Sequence, residues 1–135
     1  MGRLLAIDYG ARRVGLALSD PLKMIASPYR TIINNNNTIL IEEIETIIAA
    51  EDVELTIIGL PLGMAGQKTE QTKKVEEFVD KLIDRGIIIK YEDERWSSVA
   101  AKRSMKEQNI KSGHNKDLVD QTAAAIFLQQ YLDRH

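Results

Sequence analysis

The strongest constraint on this chain is its opening stretch, Leu4-Leu5-Ala6-Ile7-Asp8-Tyr9-Gly10-Ala11-Arg12-Arg13-Val14-Gly15-Leu16-Ala17-Leu18-Ser19-Asp20. Residues 4–7 form an unbroken apolar run, the pattern of a strand buried on both faces. Residues 14–18 read as its return strand. The turn between them falls at Gly10-Ala11-Arg12-Arg13, with Gly10 expected to supply a positive φ. Asp8 conflicts with this pattern. It ends a core strand, where a bare carboxylate would cost several kcal/mol unless it is paired or holds a cation. A turn Asp bonding nearby backbone amides would also account for it.

With 135 residues, one domain spanning residues 1–135 is expected, large enough for a real core. The chain has no cysteine, which excludes a disulfide framework and thiolate metal sites and fits a reducing compartment. It opens on a strand rather than a basic region and an apolar signal core. No apolar run approaches ~18 residues, so no transmembrane helix is expected and the reading is cytoplasmic.

The net charge of −2 argues against a generally sticky nucleic-acid binder. Its distribution is uneven. Residues 95–116 carry six basic side chains against one acid, Glu107, while residues 37–54 carry six acids and no Lys or Arg. A basic side and an acidic side follow, although a charged helix face is commonly just a solvated one.

Along the chain, Pro21 opens a connection to a third strand within residues 24–33, clearest at Tyr29-Arg30-Thr31-Ile32-Ile33. Three strands with short links predict an antiparallel meander. Asn37 or Thr38 is the expected cap of a helix whose stripe is Leu40, Ile44, Ile47 and Ile48, ending near Glu51-Asp52. Residues 55–58 read as a buried strand. Gly59-Leu60-Pro61-Leu62-Gly63 closes it, either as a plain connection or as a loop whose backbone approaches a phosphate. A helix over about 69–85 carries Val75, Phe78, Val79, Leu82 and Ile83 at helical spacing, with Gly86 as its stop. Residues 87–91 are the next strand, leading into Glu92-Asp93-Glu94-Arg95. A helix over about 99–108, a break at Ser112-Gly113 and a last, largely buried helix over about 116–133 complete the order. Strands reached through helices pair in parallel by right-handed crossovers. The expected architecture is α/β: one mixed five-stranded sheet, a three-stranded antiparallel meander plus parallel strands, flanked by helices.

Three carboxylates occupy positions a core should disfavour. Asp8 ends the first strand, Glu94 ends the last, and Asp120 lies on the buried helix with Asp117 one turn earlier. Ligands gather at the C-terminal edge of parallel strands. A central first strand would bring Asp8 and Glu94 near each other, and a helix across the sheet can bring Asp120 to them. Converging carboxylates repel unless protons or cations intervene. With oxygen donors only, the cation class is Mg²⁺ or Mn²⁺, and two such ions can align the attacking and leaving oxygens of a phosphodiester. Taken singly, each acid has a plainer account: a strand-end acid at Glu94, an ion pair with Lys116 at Asp120, a helix-dipole acid at Asp117. The combination is more specific than any member. Arg12 and Arg13 in the first turn, and Arg95, Lys102, Arg103 and Lys106 after the last strand, would hold a polyanion beside such a site. Each alone is compatible with simple solvent exposure. Trp96 suits core packing better than base stacking.

The motif Ala6-Ile7-Asp8-Tyr9-Gly10, continued by Arg12, Val14, Gly15, Ala17, Ser19, Asp20 and Pro21, resembles the opening of the YqgF/RuvX family. That family comprises Holliday junction resolvases also described as pre-16S rRNA nucleases, with an RNase H-like fold. Gly59-Leu60-Pro61-Leu62 is similar to its second motif, Asp93-Glu94-Arg95 to its third, and Val119-Asp120 with Ala123-Ala124-Ala125-Ile126 to its last. The resemblance runs the whole length in order. It implies an RNase H-like metal-dependent nuclease whose catalytic and metal-binding acids are Asp8, Glu94 and Asp120. Asp117 is similar to the paired acids of the related RuvC resolvases and is a further candidate ligand. Trp96-Ser97-Ser98 departs from the family's usual Leu-Thr or Leu-Ser after the Arg. It keeps the hydroxyl and changes the apolar contact.

The expected activity is hydrolysis of phosphodiesters in structured nucleic acid, with precursor 16S rRNA or ribosomal particles on one side and branched DNA on the other. Asp8 would bridge metals, Glu94 and Asp120 complete the site, and Arg12, Arg95 and Arg103 hold phosphates. A non-catalytic nucleic-acid-binding module is the alternative on the same scaffold. A sugar-kinase-type ATPase would need two such domains. A symmetric resolvase would dimerise, whereas a trimming enzyme can act as a monomer.

Overall fold

Alternation along the first strands decides where every layer goes. The computed structural model describes residues 2–93 and 116–134, the first five of the latter as helix backbone. In order come β1 (Arg3–Tyr9), β2 (Arg13–Ser19), β3 (Ala26–Ile33), α1 (Asn37–Ala50), β4 (Val53–Leu60), α2 (Glu70–Asp84), β5 (Ile89–Asp93) and α3 (Lys116–Arg134). The expected helix over about 99–108 and the Ser112-Gly113 break lie outside the described residues.

The strands form one sheet in the order β3-β2-β1-β4-β5. β1 to β3 are the antiparallel meander, and β4 and β5 pair in parallel with β1 and with each other. β1 is therefore central. Its side chains alternate between two cores. Leu5 and Ile7 join Val14, Leu16, Leu40, Ile44, Val75, Phe78 and Leu82, so α1 and α2 cover that face. Leu4 and Ala6 join Ala17, Ile57, Ala124, Phe127 and Leu128, so α3 covers the other. Among the described residues no helix is long and apolar enough to cross a membrane.

Several boundaries differ from expectation for identifiable reasons. Asn36, not Asn37 or Thr38, caps α1. Its backbone is extended, and its side chain accepts from the amides of Thr38 and Ile39 at 2.8 and 3.2 Å. Asn37 instead accepts a hydrogen bond from the Tyr9 hydroxyl. Asn36→Ala is expected to cost about 1 kcal/mol in urea unfolding. On α1 Ile41 is buried, while Ile48 only flanks the core. On α2 the N-cap is Thr69, in a reciprocal capping box with Thr72. Ile83 is 53% exposed. Eight residues at 3.6 per turn carry it roughly 80° away from Val75, beyond the edge of the apolar stripe. Gly59 and Leu60 are strand rather than loop, because β5 pairs with β4 as far as Leu60↔Asp93. The same pairing moves β5 two residues later than the sequence implied.

Gly10 also has a different reason from the expected one. The described glycines with positive φ are Gly66 and Gly86. At Gly10 the constraint is space: a Cβ would stand 2.5 Å from the Arg13 carbonyl oxygen. Backbone on both sides has no flexible end to move. Gly10→Ala is expected to destabilise by about 1–3 kcal/mol, measurable as a lower urea midpoint with an unchanged m-value.

Candidate functional site

Asp8 lies one residue from the end of the central strand and follows Leu4 and Ala6 in alternation, which puts it on the α3 face. It is 6% exposed. On β2 it is paired with Gly15. On β4 the pair Ile7↔Ile58 makes Gly59 the next position at its level. The carboxylate-bearing residue is thus flanked on both neighbouring strands by residues without a side chain, leaving the sheet surface around it low. One strand further, Gly59 pairs with Glu92 of β5. β4 therefore separates β1 from β5, and Asp8 and Glu92 share a row about 9.5 Å apart.

The end of β1 is braced from the opposite face. The Tyr9 ring stacks on Phe78, centroids 4.2 Å apart and planes at 19°. Its hydroxyl donates to Asn37 Oδ1 at 3.0 Å and accepts from Asn34 Nδ2 at 3.4 Å. Gln71 Nε2 donates to the Tyr9 carbonyl at 3.3 Å. Arg12 is exposed and Arg13 half-buried, both at the β1–β2 turn on the edge where Asp8 lies.

α3 crosses the other face. Gln129 marks its far end: its Oε1 accepts from the Ala26 amide at 2.9 Å and its Nε2 donates to the Met24 carbonyl at 3.1 Å. Ala26 pairs with Ser19, whose hydroxyl accepts from the Leu4 amide at 2.8 Å. Gln129 is therefore level with the start of β1. Nine residues back, at 1.5 Å each, the helix backbone at 120 is about 13.5 Å from Gln129. Leu4 to Asp8 spans about 13 Å. Positions 117 and 120 precede Ala124 and Phe127 on one stripe of the helix. Glu92 is buried and ion-paired to Arg134, and the Lys90 ammonium lies 5.9 Å from the Tyr131 ring centre, so β5 is tied to the last turns of α3.

Of the residues expected from sequence, Asp8, Arg12 and Arg13 are described in full, and Asp117 and Asp120 as helix backbone. Glu94, Arg95, Lys102, Arg103, Lys106 and Trp96 lie outside the described residues. Among the described residues no group of three acids or histidines converges on a metal position. What the described part contributes is two buried carboxylates in one row, Glu92 ion-paired to Arg134 and Asp8, a hard oxygen donor of the kind Mg²⁺ and Mn²⁺ take. Sequence reasoning missed Tyr9, Asn34, Asn37, Gln71 and Glu92. Alternation could have placed Tyr9 in the core behind Asp8. Nothing local signalled its partners from α2 and the β3–α1 connection.

The family model described as RuvX, Holliday junction resolvase, matches residues 2–134. The chain belongs to the RuvX family. Two RuvX relatives carry the name "Putative pre-16S rRNA nuclease". The protein of Roseiflexus sp. is 42% identical over 135 residues, covering 98% of this chain and 94% of its own. That of Bacteroides thetaiotaomicron is 42% identical over 137 residues, covering 98% and 97%. Among solved structures, T. thermophilus RuvC in complex with a Holliday junction substrate superposes with a TM-score of 0.61 at 14% identity, covering 99% of this chain and 95% of that one. The Fowlpox virus resolvase bound to Holliday junction DNA gives 0.55 at 8% identity, covering 98% and 97%. At such identities the likeness shows the fold, and the fold is RuvC-like, RNase H-type. RuvX is a family of nucleases.

Proposed function

We propose that this RuvX chain is a metal-dependent endonuclease that hydrolyses phosphodiester bonds in structured nucleic acid, with precursor 16S rRNA as its substrate. The observation that carries the reading is Asp8: a buried carboxylate at the C-terminal end of the central strand, between two glycines. A carboxylate is an unusual residue for a core strand, and the glycines put no side chain beside it on either neighbouring strand.

Asp8 is proposed to act with Glu94 and Asp120, and Asp117 as a further ligand. Glu94 follows directly on β5, which ends at Asp93. Asp120 and Asp117 enter on their place in the first two turns of α3, the helix that covers the Asp8 face. These acids would hold Mg²⁺ or Mn²⁺. Bound there, the ions supply an activated water and neutralise charge on the phosphoryl oxygens. The protein's part is to keep the carboxylates fixed. Tyr9, Phe78 and Gln71 hold the Asp8 end of β1 in place. Arg12 and Arg13, with Arg95, Lys102, Arg103 and Lys106, are proposed to bind substrate phosphates.

A second reading is favoured by the family's own description: resolution of four-way DNA junctions, which would call for a homodimer. Both substrates present the same phosphodiester. The deciding experiment gives wild type a precursor 16S rRNA fragment and a four-way DNA junction, each with Mg²⁺ or Mn²⁺. RNA cleavage supports the first reading and junction cleavage the second. Binding of both without cleavage by folded protein would leave a binding module.

A further inference from the structure

A polar groove of about 400 Å³ opens on the α1/α2 face, at the same edge of the sheet as Asp8 but on the other side of it. Tyr9 lines it, so the groove begins one residue from Asp8. The exposed Arg12 sits on the turn between the two sides, and its carbonyl accepts from the Asn34 amide at 2.7 Å.

Two cations face this groove. Lys74 and Lys81 of α2 line it and are exposed. Among the described residues neither is engaged in an ion pair. Several other cations are neutralised, Lys68 by Glu76, Arg85 by Glu45, Lys23 by Glu54 and Arg3 by Glu51, whereas the exposed Lys73 of α2, like the groove lysines, is in none of these pairs. Seven residues apart, the two lysines stand on one helix face about 10.5 Å from each other. That is roughly three nucleotide steps at 3.4 Å per strand. Glu77 also lines the groove and offsets one cation. With Arg12 counted, positive charge remains in excess.

The opposite wall is the run Asn34-Asn35-Asn36-Asn37. Asn36 caps α1, and Asn34 and Asn37 brace the Tyr9 hydroxyl and each other, the Asn34 Nδ2 to Asn37 Oδ1 bond being 3.1 Å. The wall is thus a set of anchored amides with Asn35 exposed beside them. Amide side chains of this kind contact phosphate and sugar oxygens without reading sequence.

We propose that this groove is a second nucleic-acid subsite, holding the sugar-phosphate backbone of a strand that leaves Asp8 and passes over the β1–β2 turn. The inference rests on the nuclease reading above. It extends that reading to the face of the sheet opposite Asp8.

The test compares Lys74→Gln/Lys81→Gln with Lys68→Gln/Arg85→Gln, which removes the same charge from paired positions. Binding of a four-way DNA junction and of a precursor 16S rRNA fragment is measured in EDTA over a salt series, with circular dichroism confirming the fold. The groove pair is expected to weaken binding at least about 10-fold at 0.1 M salt. It should also flatten the slope of log K against log salt by about 1.8 on duplex or about 1.4 on single strands. The control pair should match wild type. Equal slopes for both pairs, with wild type binding intact, overturn the groove and leave the nuclease reading standing. Wild type that binds neither nucleic acid overturns both.

Discussion

Asp8→Asn is expected to lower metal-dependent cleavage by at least about 1,000-fold while leaving the protein folded. The substitution keeps the shape of a side chain that is 6% exposed and removes its charge. A metal-held phosphoryl transfer draws several kcal/mol from the ion, and about 4 kcal/mol corresponds to three decades in rate. Stability should stay within about 1 kcal/mol of wild type, because the isosteric amide keeps the packing and a carbonyl acceptor. Rate and urea midpoint are therefore expected to move independently. Single-turnover cleavage and urea unfolding of the same preparations check both. An Asp8→Asn protein that cleaves within about tenfold of wild type would remove Asp8 from the catalytic set.

Phe78→Ala is expected to cost about 3–5 kcal/mol of stability, with Tm falling by roughly 10–20 °C. Phe78 is 1% exposed and packs in the core of the α1/α2 face, so truncation leaves a cavity. It also removes the ring on which Tyr9 stacks. Ile83 on the same helix is the contrast. Helical spacing puts it on the buried stripe, yet it is 53% exposed, and Ile83→Ala should change stability by no more than about 0.5–1 kcal/mol. Similar losses for the two variants would mean that the packing of α2 is not as described.

Much of the fold is legible in the amino-acid sequence. The apolar run at 4–7 announces a strand buried on both faces, and β1 is the central strand. Short links announce the meander, and helical spacing announces α2 almost to the residue. Local patterns fail where a residue's partner is distant in sequence. Asn36 displaces Asn37 as the cap because Asn37 bonds to Tyr9, 28 residues away. β5 shifts by two residues because its register is set by β4. Gly59 is strand for the same reason. In the candidate site, Asp8 is visible as a charge out of place. The glycines flanking it are visible as letters, but only strand pairing makes them its neighbours.

The division follows from the range of the forces. Periods of 2 and 3.6 residues, caps and turn chemistry act within about ten residues, so the sequence by itself determined the elements, their order and the residue that breaks the pattern. Strand order, register and the face each helix covers are settled by contacts between segments tens of residues apart, where burial of one continuous core selects among arrangements with equal local merit. Only the tertiary structure could decide that Asp8 lies between Gly15 and Gly59 on the α3 face. It alone decided that Tyr9, one residue on, opens a groove with Lys74 and Lys81 on the other.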